Sequence, residues 1–458
     1  MAPPLASLES QLPADRFRRS QADREAFGRD KWHAEALPEA VVCPESTLEL
    51  AATLRWANQH RQPVYPRGAG VGYVGGCVPL AGGIVLSTHR MNQILEMNPG
   101  DGVAVVQPGV LTHDLQEAAR ERGWYYPPDP ASLKESSIGG NIATNAGGPR
   151  CLKYGVTRHY VLGLEVVRAD GTLVRTGSRC HKNKTGFDLT GLFVGSEGLL
   201  GVITEATLRL LPHPPSRAMV SAVFPDFATA ASAVNALLDS GRLPSALEIA
   251  DGFTLNAARH YLGPGKLPEG DAHLIVEIDG QTESVALEVE SLRRQVERLG
   301  GRGVQVAPHE EACEAIWQLR RDFSYALRAT GLVKLNEDIV VPRSRLVDLV
   351  NFARQMEAET GIPIACFGHA GDGNIHTNLM VKDYHQDARA REKADAALDT
   401  LFRQILAWKG CITGEHGVGL AKKPWFREAV GEAGFRAHLD LKKTWDPHRI
   451  LNPGKFLG

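Results

Sequence analysis

Residues 66–83 read PRGAGVGYVGGCVPLAGG, and this run restricts the chain more than any other. Gly70, Gly72 and Gly75 spell G-x-G-x-x-G, the pattern of a nicotinamide-dinucleotide turn. Such a turn must leave a strand and open directly into a helix whose N-terminus faces the pyrophosphate. The preceding QPVY is short and β-prone, so the strand is expected. The helix is not, because Gly76, Pro79, Gly82 and Gly83 crowd the residues that would form it. Glu96 stands at the spacing of a ribose-binding acid, but without the helix that spacing decides nothing. The loop can still hold a diphosphate by another geometry.

The rest of the first half alternates strands and turns with two helices. PESTLELAATLRWANQH and LTHDLQEAARERG are amphipathic, the first with cap residues Ser46 and Thr47, the second stopped by Gly123. GIVLST, VAVVQPG, YVLGLEVVRADGTLVRTG and GVITEATLRLLP read as strands, with Asp170-Gly171 as a hairpin turn. SIGGNIATNAGG (137–148) and GSEGLLG (195–201) are glycine-rich loops between them. The prolines of LPHPPSR (211–217) mark a boundary. Beyond it, short strands alternate with covering helices, which predicts an α+β layer: an antiparallel sheet with helices on one face. The expected domains are an N-terminal extension (1–35) packing on a first domain (36–213), a second domain (214–425) and a C-terminal segment (426–458) that returns to the first.

Composition removes several classes of function. A net charge of −2 offers no general basic field for nucleic acid or anionic lipid. No apolar run approaches the ~18 residues of a membrane span. The N-terminal residues lack an apolar signal-type core, so secretion is not expected. Seven scattered cysteines without C-x-x-C argue for a reducing compartment and against an iron–sulfur cluster in this chain. The expected location is the cytoplasm, with peripheral attachment to the inner membrane through a partner left open.

GHAGDGNIH (368–376) is the most informative stretch of the second half. If Asp372-Gly373 forms a two-residue turn, His369 pairs with His376 across the hairpin and Asn378 points to the same face. Two imidazoles that close suit a divalent metal, which needs a carboxylate and an open position besides. Glu415 in TGEHGVG (413–419) is the candidate carboxylate, with His416 beside it and off the metal. The alternative is a pair of structural histidines that pack or bind water.

PRGAGVGYVGG, VQPGV, PPDPAS, SIGGNIATNAGG, GFDLTGLFVGSEGLLG, GHAGDGNIH, GEHGVG and ILNPGK occur here in one order. From about residue 36 to the C-terminus this order resembles the FAD-linked D-2-hydroxyacid dehydrogenases of the vanillyl-alcohol oxidase superfamily. The resemblance implies a PCMH-type FAD-binding domain plus an α+β substrate domain. It also implies that Arg67, Gly68, Ala69, Gly70, Val71 and Gly72 wrap the FAD pyrophosphate with backbone N–H groups. Pro128, Asp129, Ser132, Gly139, Gly140, Asn141, Ala143 and Asn145 would line the flavin and ribityl chain. Gly195, Glu197, Gly198, Gly201, Val202 and Ile203 would hold the adenine side, and Asn452 would close the flavin edge. Val71, Tyr73-Val74 and Leu199 depart from the family's usual residues. No histidine occurs in 66–76, so FAD is expected to be noncovalent.

The resemblance further implies a Zn²⁺ or Mn²⁺ on His369, His376 and Glu415, with His416 as the base that takes the substrate hydroxyl proton. Asn378, Arg320 and Lys334 would hold the 2-hydroxyacid, of which D-lactate is the first expectation. A glycolate oxidase flavin subunit, a D-2-hydroxyglutarate dehydrogenase and a metal-dependent hydrolase are the alternatives. Electrons would pass to an external acceptor: a quinone, a cytochrome, an electron-transfer flavoprotein or an iron–sulfur partner. A flavin subunit active only within a complex, and a homodimer, both stay open.

Overall fold

A computed structural model describes residues 5–457, which divide into two compact units. The first comprises residues up to 147, 156–213 and 415 onward; the second comprises 148–155 and 214–414. One division between the units falls between His213 and Pro214. The chain returns to the first unit at Glu415 rather than after 425, and the short segment 148–155 belongs to the second.

In the first unit, β1 (Ala40–Val42) and β2 (Val64–Arg67) both lie parallel to β3 (Ile84–Ser87). β3 lies between the other two; α1 (Thr47–His60) connects β1 to β2, and the glycine run 68–83 crosses from β2 to its parallel neighbour β3. Ser46 caps α1 by accepting from the Glu49 amide. Leu50, Leu54 and Trp56 of α1 pack against Val42, Val64 and Leu86 of the strands. Leu5, Leu8, Leu12 and Phe17 join this core, so the described part of the N-terminal extension packs on the first unit.

The second sheet is antiparallel, in the order β4 (Ile94–Asn98), β5 (Val103–Val106), β8 (Val202–Arg209), β6 (Val161–Val167), β7 (Leu173–Gly177). Gly171, at φ +79°, sits in the expected turn between β6 and β7. Two short helices, α2 (Thr112–Arg120) and α3 (Ile138–Thr144), complete what the site needs.

The second unit is built on a seven-stranded antiparallel sheet. Its order is β12 (Arg302–Ala307), β9 (Ser216–Phe224), β11 (Ala272–Gly280), β10 (Ala246–Asp251), β14 (Ile364–His369), β15 (Asn374–Val381), β13 (Val333–Val340). Helices cover both faces, where the sequence suggested one. α5 (Gly252–Leu262) and α7 (Glu310–Ala329) pack on Ala250, Ala365, Phe367 and Met380 and on Met219, Ala246 and Ile275. The opposite parity of these strands, with Val220, Leu247, Ile249 and Val276 buried, faces α4 (Phe227–Asp239), α6 (Thr282–Arg298), α8 (Leu346–Thr360) and α9 (Ala388–Ala407). The alternating strand periodicity does not reveal this, because both parities are apolar enough to be buried.

Glu277 of β11 anchors the segment 148–155 within this unit. It is fully buried and accepts two hydrogen bonds from Arg150, at 2.7 and 2.9 Å. Arg217, the Trp317 indole and the Ser245 hydroxyl also donate to it. Lys153 and Tyr154 reach Asp279 two residues along the strand. Burial alone would raise the Glu277 pKa, but Arg150 and Arg217 outweigh it and hold the carboxyl at about 2. The resulting stabilisation is present above the ordinary carboxylate pKa and is lost as pH falls toward 2. Breaking such a pair strands the remaining buried charges, at a cost of about 3–5 kcal/mol. Glu277→Gln is expected to lose that order of stability in urea unfolding at pH 7, with the gap from wild type closing at low pH.

Candidate active site

In the first unit the chain turns directly from β2 into the glycine run, and turns rather than a helix occupy 76–82. The Arg67 side chain folds beneath the loop. Its Nη1 donates to the Arg29 carbonyl at 2.6 Å and lies 3.1 Å from Cys77 Sγ. A Cβ added to Gly70, at φ +72°, would stand 2.0 Å from the same guanidinium. Arg67 is therefore the floor of the loop, and the amides above it are exposed to a ligand. Among the described residues, the N–H groups of Gly70, Val71 and Gly72 donate to no other group.

Ser137 ties this loop to the second glycine run. It caps α3, accepting from Gly140 N at 3.3 Å and from Ala69 N at 3.2 Å. A Cβ on Gly68 would lie 2.5 Å from its hydroxyl, and one on Gly139 would strike Pro108. Asn141 donates to Thr112 Oγ1, and Asn145 caps α3 in the left-handed region while accepting from Arg158 N. The Pro128 carbonyl accepts from Gln116, Asp129 is buried, and the Ser132 carbonyl closes a turn at Glu135 and Ser136. Gly195 and Gly198 take positive φ, Gly201 presses on Val166, and Val202 and Ile203 begin β8.

Glu197 was expected at the adenine, yet its buried carboxylate holds the GEHGVG loop. Oε1 accepts from Val418 N at 2.7 Å and Oε2 from Gly419 N at 2.8 Å, while its own amide donates to Ala143. Leu420 and Ala421 donate to the Val74 carbonyl, and Tyr73 lies against the His416 ring at 5.2 Å. The Tyr73 ring and the Val74 backbone carbonyl thus dock the loop that carries His416, which stands 4.0 Å from Glu415. Asn452 donates to the carbonyls of Gly76 and Glu197, leaving its buried Oδ1 unpartnered. Open amides, close glycine backbones and an orphaned buried acceptor fit a large polar cofactor such as FAD.

In the second unit the two histidines come together by a register other than the expected one. His369 pairs with Asn374, and Phe367 pairs with His376. A type I′ turn needs positive φ at both central residues, and Gly373 has it while Asp372 does not. Residues 370–373 form a longer loop instead. The shift is by two, so His369 and His376 stay on one face, their rings 5.5 Å apart. Asn378 shares that face, with its amide hydrogens on the carbonyls of Ala365 and His376 and its Oδ1 buried without a partner.

The sequence did not single out Glu248. It lies opposite His369 on β10, fully buried, with Oε1 2.6 Å from His369 Nδ1 and Oε2 2.7 Å from Arg320 Nε. Burial would raise its pKa, but His369 and Arg320 hold it below the ordinary value. Asp338, opposite His376 on β13, was also missed. It takes Asn374 Nδ2 on one oxygen, and Thr413 Oγ1 and Gly414 N on the other. Glu415 is one peptide bond from that anchor. For Glu248 the available signal was an acid inside an otherwise apolar strand, as in ALEIA; Asp338 lies among the polar residues of VKLNEDIV and offers no such signal.

Arg320 and Lys334 meet at Phe367, with Arg320 Cζ 4.6 Å and Lys334 Nζ 5.4 Å from the ring centre. Lys334 donates to Ser324 Oγ. Burial, then the charges of Arg328 and Arg320, push its pKa down to about 7. Paired imidazoles with a carboxylate behind one of them are a donor set suited to a divalent metal.

Two family models match. One, described as an FAD binding domain, covers residues 38–177; the other, FAD linked oxidases, C-terminal domain, covers 213–456. The chain belongs to the FAD-linked oxidases. It is 39% identical to glycolate oxidase subunit GlcD of Bacillus subtilis, over 96% of this chain and 94% of that one. It is 34% identical to D-lactate dehydrogenase of Anaerostipes hadrus (93% and 90% covered) and to D-2-hydroxyglutarate dehydrogenase of Stutzerimonas stutzeri (94% and 94%). Its PCMH-type fold matches p-cresol methylhydroxylase with a TM-score of 0.80 at 19% identity, covering 99% of this chain and 96% of that one. This FAD-linked oxidase is an oxidoreductase, and no helix among its described residues is long and apolar enough to cross a membrane.

Gly70 tests the amide-lined loop. Positive φ and the Arg67 contact oppose any side chain there, with strain of about 1–3 kcal/mol. Gly70→Ala is expected to weaken FAD binding about tenfold or more, read as flavin absorbance per protein after dilution and filtration.

Proposed function

We propose that this FAD-linked oxidase carries out the metal-assisted oxidation of a D-2-hydroxyacid, D-lactate in the first instance, to the 2-oxoacid. The observation that carries the reading is the single sheet face holding His369 and His376 next to Arg320 and Lys334. One pair suits a Lewis-acid metal and the other an anion. The relatives named for glycolate, D-lactate and D-2-hydroxyglutarate act on molecules that place a hydroxyl next to a carboxylate, which calls for both.

Bound noncovalently, FAD supplies the hydride acceptor. A Zn²⁺ or Mn²⁺ on His369, His376 and Glu415 would lower the pKa of the substrate hydroxyl. His416 takes the hydroxyl proton at its imidazole, and its ring is held for that task by Tyr73 and by the loop that Glu197 pins. Arg320 grips the carboxylate through its Nη groups, since its Nε is committed to Glu248. Asn378 offers only Oδ1, so it accepts rather than donates. Lys334 adds charge when protonated. With FAD bound, the electrons would leave to an external acceptor; the sequence holds no haem or cluster motif.

D-Lactate under anaerobic conditions is expected to bleach the yellow protein, and the chain is expected to lose all colour on denaturation. EDTA should abolish turnover and Zn²⁺ or Mn²⁺ restore it, while full activity in His369→Ala/His376→Ala would overturn the metal. The KM for D-lactate should rise as pH climbs through about 7 and Lys334 loses its charge beside Arg320 and Arg328. With a charged hydrogen bond worth ~1.5–3 kcal/mol, the rise is on the order of tenfold, and Lys334→Met should flatten it.

A further inference from the structure

We infer that Glu248 is a positioning residue that sets the metal ligand His369 and the carboxylate clamp Arg320 from a single buried anchor; this rests on the function proposed above. Its two oxygens are divided, Oε1 to His369 Nδ1 at 2.6 Å and Oε2 to Arg320 Nε at 2.7 Å. Neither oxygen is reached by solvent, for the Glu248 side chain is 1% exposed. Its backbone is fixed by pairing with His369 itself, and by pairing with Ile275 on the other side. The anchor therefore cannot drift relative to the strand that carries the ligand.

The chemical consequence is twofold. A carboxylate at Nδ1 keeps the proton on that nitrogen, which leaves the lone pair of Nε2 to coordinate a cation. A carboxylate at Nε of Arg320 turns the guanidinium so that its two Nη groups remain for a second carboxylate. Phe367, 4.6 Å below the guanidinium carbon and 5.3 Å from the His376 ring, fixes the plane between them. Metal affinity and substrate affinity then share one determinant, although Glu248 touches neither the metal nor the substrate.

Glu248→Gln separates this from a purely structural role. A glutamine side chain has one acceptor oxygen and a donating amide, so it can satisfy His369 or Arg320 but not both. Metal affinity is read on the apoprotein by competition for Zn²⁺ with a chromophoric chelator, which needs no turnover. Glu248→Gln is expected to bind Zn²⁺ ~10–100-fold more weakly, as outer partners of metal-bound histidines typically do. Its KM for D-lactate should rise as well, with flavin content unchanged. Glu248→Asp keeps the charge and both acceptors, so it should recover part of both losses, and it stands as the test if Glu248→Gln does not fold. Wild-type affinity and wild-type KM in a folded Glu248 variant would overturn the proposal. Wild-type protein that binds no metal would instead overturn the function on which it rests.

Discussion

The pairing rule of antiparallel strands governs the chemistry of the second unit. Residues opposite each other share a face, and the registers of five adjacent strands put Glu277, Glu248, His369, His376, Asp338 and Lys334 on the same side. The other side is mainly apolar, with Leu247, Ile249, Val276, Ile375 and Leu379, although Asp251, Glu337 and Thr377 share its parity. Any one of these ionised groups, buried alone, would lose several kcal/mol of hydration. On this face each acid has partners to hand. Glu277 has Arg150 and Arg217, Glu248 has His369 and Arg320, and Asp338 has Asn374 and the Gly414 amide. A one-residue slip in any strand would send its members into the apolar layer, so register and site are specified together.

The first unit solves a different problem, that of holding irregular loops still. Backbone outside helices and sheets still needs partners for its buried groups. Here side chains supply them from a distance in sequence. Lys455 donates to the carbonyls of Gly75 and Val78, Asn452 to those of Gly76 and Glu197, and Lys442 to those of Leu199 and Leu451. All three donors come from the C-terminal part of the chain, which explains why the ILNPGK motif accompanies glycine loops hundreds of residues earlier. The amides of Gly70, Val71 and Gly72 are left out of this network, and a bound diphosphate would complete it.

Much of this was legible in the sequence, for identifiable reasons. The absence of a helix after Gly75 followed from Pro79 and its glycines, and turns stand there. The common face of His369 and His376 was also legible, since a pairing shift of two leaves parity intact. Other features were out of reach. The hairpin loop depended on the φ of Asp372, which no residue identity dictates. Arg67 and Glu197 lie in motifs associated with the cofactor, but their side chains serve the loops. Arg67 forms a floor and Glu197 a pin. Glu248 escaped because an acid in an apolar strand reads locally as a flaw, and Asp338 because its polar neighbours Asn336 and Glu337 hide it. The reason for each lies on strands far away in sequence.

The cations around Phe367 show how burial shapes what the face can accept. Arg320 presents a planar guanidinium to whatever enters. Lys334 is different: burial and neighbouring guanidinium charge have brought its pKa to about 7, so protonated and neutral forms are close in free energy. An entering carboxylate shifts that balance toward the ammonium and gains a second charged contact as it does so. A neutral alcohol of the same size gains nothing comparable and leaves Arg320 less well satisfied. On the proposed function, a preference for acids over alcohols would follow from the desolvation of Lys334 as much as from the presence of Arg320. An exposed lysine at the same position, already charged and hydrated, would discriminate less.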